Sequence, residues 1–300
     1  MDSIESALRL SKAALGINAA LAAIKIAAGV LGNSYVLIAD GIESIADVFT
    51  SFVVWSALRV ANRPADADHP YGHGKAEAIA SAIVSLSLLG AAGIIAVQSV
   101  QEILTPHGPP RRFTLVVLVI VVTIKELLFR RVSKAGASLD SSVLKADAWH
   151  HRSDALTSGA AFVGILIALI GGPGFEAADD WAALVACGII AWNGVRLLRE
   201  TLDEIMDAAV SPEIFRDVRR LAASVEGVAE IEKCRIRKSG LHLVLDIHVV
   251  VDGDLTVRRG HAIAHEVEAI LHASPHRIND VTVHIEPDNP SESVGGRGQT

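Results

Sequence analysis

Two stretches of this chain place ionisable side chains at helical spacing inside otherwise apolar sequence. Asp40, Glu43 and Asp47 are separated by three and four residues, and so are Asp147, His150 and Asp154. In a helix that spacing puts each trio on one face. Two helices that each turn an i,i+4 pair toward a common axis supply four ligands to one ion. Glu43, Asp47, His150 and Asp154 offer one imidazole and three carboxylates. That donor set suits a divalent ion of the Zn2+/Fe2+/Mn2+ range in tetrahedral or slightly larger geometry. The competing reading is that these groups cap helices or pair with Lys25, Lys125 or Arg152, but two matched pairs in two segments favour the metal site. Asp40 and Asp147 lie one turn nearer the outer and inner ends and suit an access path or helix caps equally. His151 is rotated ~100° from His150 and belongs behind the ligands or at the lipid interface.

The segments that carry these residues read as membrane helices. Of the 300 residues, 51% are hydrophobic and only 20% charged, with 24 Gly and a mean hydropathy of +0.41. This fits neither an ordinary soluble enzyme nor a disordered regulator. Residues 1–206 hold only 16 of the 27 Lys and Arg and 19 of the 34 Asp and Glu; the last 94 residues hold seven of the twelve His. A membrane helix needs ~20 mostly apolar residues to cross ~30 Å of hydrocarbon. Six segments qualify, near 8–31, 34–58, 75–104, 113–132, 142–170 and 181–198. The N-terminal MDSIES is acidic, which argues against a cleaved signal peptide.

Loop charges set an expected orientation, because Lys and Arg are retained on the cytoplasmic side. One set of helix ends holds Arg9, Lys12, Arg59, Arg63, Lys75, Arg130, Arg131, Lys134, Lys145, Arg196 and Arg199; the other holds only Arg111 and Arg112. Both termini are therefore expected in the cytoplasm of a multi-pass inner (plasma) membrane protein. Short outer loops are expected at 32–33, 105–112 and 171–180.

Beyond Ser211-Pro212 the pattern becomes that of a small α+β domain. A helix over 212–224 is followed by a strand near 230–238, a Ser239-Gly240 turn and a strand over 241–251 that alternates apolar and polar residues. A helix over 257–273 and a strand over 280–286 complete the order αββαβ. The organisation expected is a helical membrane domain over 1–206, a small soluble α+β domain over 207–287, and a disordered tail over 288–300. The net charge of −7 removes the electrostatic case for nucleic acid. Two Cys without a CxxC exclude a disulfide framework or thiolate zinc finger. No HExxH occurs, so an intramembrane metalloprotease is disfavoured and no enzyme is expected.

The motifs ADGIESIAD (39–47), PADADHPYGHGKAE (64–77), ADAWHHRSD (146–154) and VHIEP (283–287) together resemble the cation diffusion facilitator family, of the bacterial ferrous-iron/zinc efflux type. The match runs from the first span to Pro287, and HPYGHGKAE is its most specific string. The resemblance implies a homodimeric divalent-metal/proton antiporter, with six transmembrane helices and a cytoplasmic ferredoxin-like domain, that exports metal from the cytosol. It places the transport site at Glu43, Asp47, His150 and Asp154. Many zinc-transporting members have Asp where this chain has Glu43, which leaves selectivity open among Zn2+, Fe2+, Cd2+ and Co2+; the imidazole argues against Mn2+.

By the same resemblance Asp66, His69 and His73 form a loop metal site, against which stands the reading of a Pro/Gly-rich turn. His248, His261, His284 and Glu286, with Glu232, form a cytosolic metal cluster; His248 and His284 also fall on strands expected to pair. Lys75 and Asp207 form a charge interlock near the membrane face, or Asp207 is simply a helix end. His107, His242, His265, His272 and His276 are read as solvated. The implied ligand is Zn2+ or another divalent transition metal, as cargo and as regulator. The alternative function is a membrane metal sensor or scaffold that binds without transporting.

Overall fold

The structure is a computed structural model that describes residues 2–31, 35–104, 114–171 and 178–288. The expected outer loops, His107 and the tail lie outside the described residues, apart from the ends of the last loop and Asp288. The side chains of Lys25, Asp40 and Glu43 also lie outside them, although their helical backbone is described. The chain divides into two compact units, Met1–Ile205 and Met206–Thr300.

The first unit is all helix: α1 (Asp2–Leu31), α2 (Tyr35–Ala61), α3 (Lys75–Leu104), α4 (Thr114–Leu139), α5 (Ser142–Gly171) and α6 (Ala178–Ile205). At 26 to 30 residues each, and ~1.5 Å per residue, they are longer than a ~30 Å hydrocarbon layer. The surplus explains where the expected ends fall short. Helix α4 runs on to Leu139 through Arg130, Arg131 and Lys134, and α6 runs on to Ile205 through Arg199, Glu200, Asp203 and Glu204. Hydropathy stops at the edge of the oil, whereas backbone hydrogen bonding continues into water.

Among the described residues, three helical segments are long and apolar enough to cross a membrane: Ile4–Ile24, Lys75–Leu104 and Asp180–Ile205. Helices α2, α4 and α5 are the ones that carry the ionisable residues Asp47, Lys125 and Glu126, and Asp147 to Asp154. Outward-facing side chains such as Ile83, Leu86, Ile94 and Val97 on α3, and Val185 and Trp192 on α6, are exposed and apolar, as a lipid-facing surface requires. Inside, Leu88 and Ala92 pack on Ile190 and Leu197, with Trp149 and Leu156 of α5 against them.

Helices α1 and α2 pack as one antiparallel pair and α4 and α5 as another. The second pair turns through Asp140, whose φ is 51°. Ser141 then caps α5: its Oγ accepts from the Leu144 N–H at 3.2 Å, satisfying a donor the helix start leaves free. The same hydroxyl donates to the carboxylate of Glu77 on α3, which is fully buried. Gly136 lets the two helices approach, since a Cβ there would lie 3.2 Å from both Leu144 Cβ and the Lys145 nitrogen.

The second unit has the order αββαβ: α7 (Pro212–Ala223), β1 (Glu230–Ser239), β2 (His242–Val251), α8 (Val257–His272) and β3 (Ile278–Pro287). Ser211 caps α7 with Pro212 in its first turn, and Thr256 caps α8. Gly240, at φ 62°, makes the tight turn between β1 and β2. Strand β2 is central, antiparallel to β1 and parallel to β3. Leu245, Ile247 and Val249 alternate onto one face of β2 and bury against Val218 of α7 and Ile263, Val267 and Leu271 of α8. Leu245→Ala is expected to lower the stability of this unit by about 2–5 kcal/mol, read by urea unfolding of residues 207–300 followed by circular dichroism.

Candidate metal centre

The rotational phase of α2 and α5 carries Asp47, His150 and Asp154 into the interior of the first unit. One ligand atom from each lies within 4.8 Å of the others. His150 Nε2 is 3.1 Å from Asp47 Oδ1, and the His150 ring is almost wholly buried. Glu43, the fourth expected ligand, is on α2 one turn before Asp47, with its side chain outside the described residues.

A residue from α4 completes this group. The Lys125 ammonium donates to Asp47 Oδ2 at 2.8 Å and to Asp154 Oδ2 at 2.7 Å. It lies 3.3 Å from Asn18 Oδ1, while the Asn18 amide donates to Ser51 Oγ at 2.9 Å. The reading of these acids as ion-pair partners and the reading of them as metal ligands thus meet at one place. Arg152, the other cation considered, is engaged elsewhere: it bonds Glu126 at 2.9 Å and lies 4.5 Å from the centre of the Phe129 ring. Asp147 and His151 are a turn apart on α5, both buried, with 3.8 Å between His151 Nε2 and Asp147 Oδ1. His151 therefore lies inside the bundle, not at the lipid interface. Asp147 Oδ1, His150 Nδ1 and both His151 nitrogens are buried without a hydrogen-bond partner among the described residues.

The loop between α2 and α3 groups Asp66, His69 and His73 within the same 4.8 Å limit. Asp66 Oδ1 accepts from the backbone N–H groups of His69 and Asp68 at 2.7 and 3.1 Å. The His69 N–H, and then its ring, hold the Asp66 carboxyl below its usual range. His73 Nε2 is 3.4 Å from Asp66 Oδ2, and its buried Nδ1 has no partner among the described residues. A turn held by Asp66 thus presents an acid and two imidazoles on one side.

In the second unit the parallel register sets His248 opposite His284, and the rings stack at 4.8 Å. His248 Nδ1 is 2.5 Å from Glu286 Oε1. The third member of the group is Glu232. It stands where the β1–β2 register shifts, between Ile231 and Lys233; a bulge re-aims a side chain that strict alternation would send elsewhere. Hydrogen bonds from the Glu232 carboxyl first and His248 second keep Glu286 below the ordinary Glu range.

His261 is placed apart from that group, on the exposed face of α8, with its Nε2 3.1 Å from His265 Nε2. His265 also contacts Glu268 at 3.0 Å. Of two residues read as solvated, His272 is exposed, whereas His276 is half-buried. His272 Nδ1 is 3.1 Å from the Ile278 carbonyl, and His276 Nε2 is 3.6 Å from Asp217. His242 is also half-buried, and burial, then Arg277, lowers its pKa. Burial pushes the Cys234 thiol up to about 11. Lys75 donates to the Glu204 carbonyl at 2.8 Å. Asp207, at φ 57°, follows the end of α6, and its carboxylate is 3.4 Å from Arg237 Nη1.

A helical membrane-type domain with a buried acid–imidazole cluster, followed by an α+β domain with a second, more exposed one, is the layout of a membrane protein with two clusters that could hold metal. Residues 11–206 match the cation efflux transmembrane domain and residues 210–288 the cytoplasmic domain of cation efflux proteins. The chain belongs to the cation efflux, or cation diffusion facilitator, family. It is 32% identical over 278 residues to the manganese efflux system protein MneP of Bacillus subtilis, covering 91% of this chain and 94% of that one. It is 30% identical to metal tolerance protein 2 of rice (Oryza sativa subsp. japonica), covering 94% and 78%. To the magnetosome protein MamB of Magnetospira sp. (strain QH-2) it is 32% identical, covering 86% and 88%. A solved MamM C-terminal domain variant aligns at 26% identity and a TM-score of 0.25, over 26% of this chain and 96% of that one.

His248→Ala is expected to weaken Zn2+ binding by residues 207–300 by about tenfold or more, while His265→Ala leaves it within about twofold. Isothermal titration of the three proteins checks the ranking.

Proposed function

We propose that this protein exports divalent transition-metal ions from the cytosol across the plasma membrane in exchange for protons. The observation that carries the reading is the convergence of Asp47, His150 and Asp154 from two helices inside an apolar bundle, in a chain of the cation efflux family. A pure sensor would need only a water-accessible cluster such as Glu232, His248 and Glu286. A triad at membrane depth is costly and favours transport.

The exchange follows from ligand chemistry. Carboxylates and imidazole must lose protons to bind metal, so the two cations compete for one site. Facing the cytosol, the site takes the metal; facing outward, it takes protons and releases the metal. Rearrangement of the helices around a fixed site alternates the access. Glu43, one turn from Asp47, supplies a fourth ligand.

The nitrogen donor favours Zn2+, with Fe2+, Cd2+ and Co2+ compatible. The likeness to a manganese efflux protein adds Mn2+ to the metals to be compared. The distribution of Lys and Arg supports a multi-pass topology with both termini in the cytoplasm. The second unit serves as the dimerisation domain of a homodimer. Metal at Glu232, His248 and Glu286, with His284 beside them, regulates it, and Asp66, His69 and His73 hold a further ion.

Reconstituted into proteoliposomes, the wild type is expected to couple Zn2+ uptake to proton release. Asp47→Ala and Asp154→Ala each abolish that flux; undiminished flux in both variants would overturn the assignment. Glu43→Asp is expected to shift the order of rates across a panel of Zn2+, Fe2+, Cd2+, Co2+ and Mn2+.

A further inference from the structure

Lys125 is the only lysine of α4 that lies within the expected span, and it is almost wholly buried, at 5% side-chain exposure. Its ammonium bonds one oxygen of Asp47 and one of Asp154, at 2.8 and 2.7 Å. Those two carboxylates are the groups that converge with His150 on a candidate ion position. The neighbouring charges do not compete for it: Glu126, the next residue on α4, is taken by Arg152 and by Arg130 at 2.8 Å. Two carboxylates held close in an apolar bundle repel unless a cation lies between them, and here the protein supplies that cation itself.

We propose that Lys125 is a tethered stand-in for the transported ion: its ammonium holds the cation position while the carrier is empty and withdraws when metal enters. This rests on the transport reading given above. A divalent ion bound to the same two oxygens sits ~2.0–2.2 Å from each. No room then remains for a second cation at hydrogen-bond distance from both. The exchange has a direction, because a divalent ion cancels both aspartate charges where the ammonium cancels one. Asn18 Oδ1, 3.3 Å from the ammonium and steadied through Ser51, is an uncharged acceptor toward which the flexible lysine stem can retreat. The tethered cation lowers net metal affinity, hastens release, and keeps the acids compensated while the empty carrier returns.

The test compares wild type with Lys125→Gln, Lys125→Met and Lys125→Arg as full chains in proteoliposomes, with Zn2+ as the probe. Removing a like charge at contact distance should lower KM for Zn2+ by about tenfold or more in the two neutral variants, with a reduced maximal rate as release slows. Lys125→Arg, which keeps the charge, should restore the higher KM. In detergent the neutral variants should melt earlier than wild type without Zn2+ and recover when it saturates, because the ion takes over the role of the ammonium. Neutral variants whose KM is unchanged or raised would overturn the proposal. So would neutral variants that Zn2+ cannot return to a folded state, since the lysine would then be structural. A wild type without Zn2+ flux would instead remove the transport reading itself.

Discussion

An ionisable group inside hydrocarbon must be compensated by another within reach, and the first unit is organised around that requirement. Asp47, Asp154 and Lys125 come from three different helices and meet within hydrogen-bond distance. Each alone would be a burden on the bundle; together they fix how α2, α4 and α5 are rotated about their own axes. The second pair, Arg152 with Glu126, repeats the arrangement beside the first and locks α4 to α5. Packing of apolar side chains could tolerate several rotations of these helices. The buried charges tolerate far fewer, so polar pairing confers specificity that lipid-facing Leu, Ile and Val cannot.

The position of α5 is set from its other end as well. The HGKAE motif begins α3, and its Glu77 accepts the hydroxyl of Ser141, the residue that caps α5. A fully buried carboxylate on α3 thereby anchors the helix that carries Asp147, His150 and Asp154. The second unit solves a related problem with a sheet. Parallel pairing stacks His248 on His284, and a register shift brings Glu232 to them. In both units a local irregularity, a capped turn or a bulge, does the aiming that regular secondary structure would not.

Much of the fold is legible in the sequence, because hydropathy and alternation report burial directly. The αββαβ order and its element ends follow from Leu243, Leu245, Ile247 and Val249 alternating on β2, and from Pro212 and Gly240. The ends of α4 and α6 do not, since water-exposed helix has no apolar signature. At the site, the i,i+4 pairs are visible as residues with no business in an apolar span. Lys125 is visible in the same way, but its choice of Asp47 and Asp154 over Glu126 depends on the phase of α4, which no local pattern encodes. Likewise His261 and His265, four residues apart, necessarily share one face of α8, and only the packing of α8 decides that this face turns away from His248. Glu232 needs the bulge, and nothing in the residues around it announces one.

The helix pairing has a mechanical meaning. Asn18 binds Ser51 across the α1–α2 hairpin, while Phe129 meets Trp149 across the α4–α5 hairpin, so each hairpin has its own internal tie. The charge cluster lies on the seam between them: Asp47 belongs to one hairpin, and Lys125, His150 and Asp154 to the other. Protein hydrogen bonds span roughly 2.7–3.2 Å, so a slip of about an ångström along that seam would break the bonds of Lys125 and His150 to Asp47 without unfolding either hairpin. A charge cluster built across two separate hairpins can therefore be opened by a small shift of one against the other, with no large rearrangement of either.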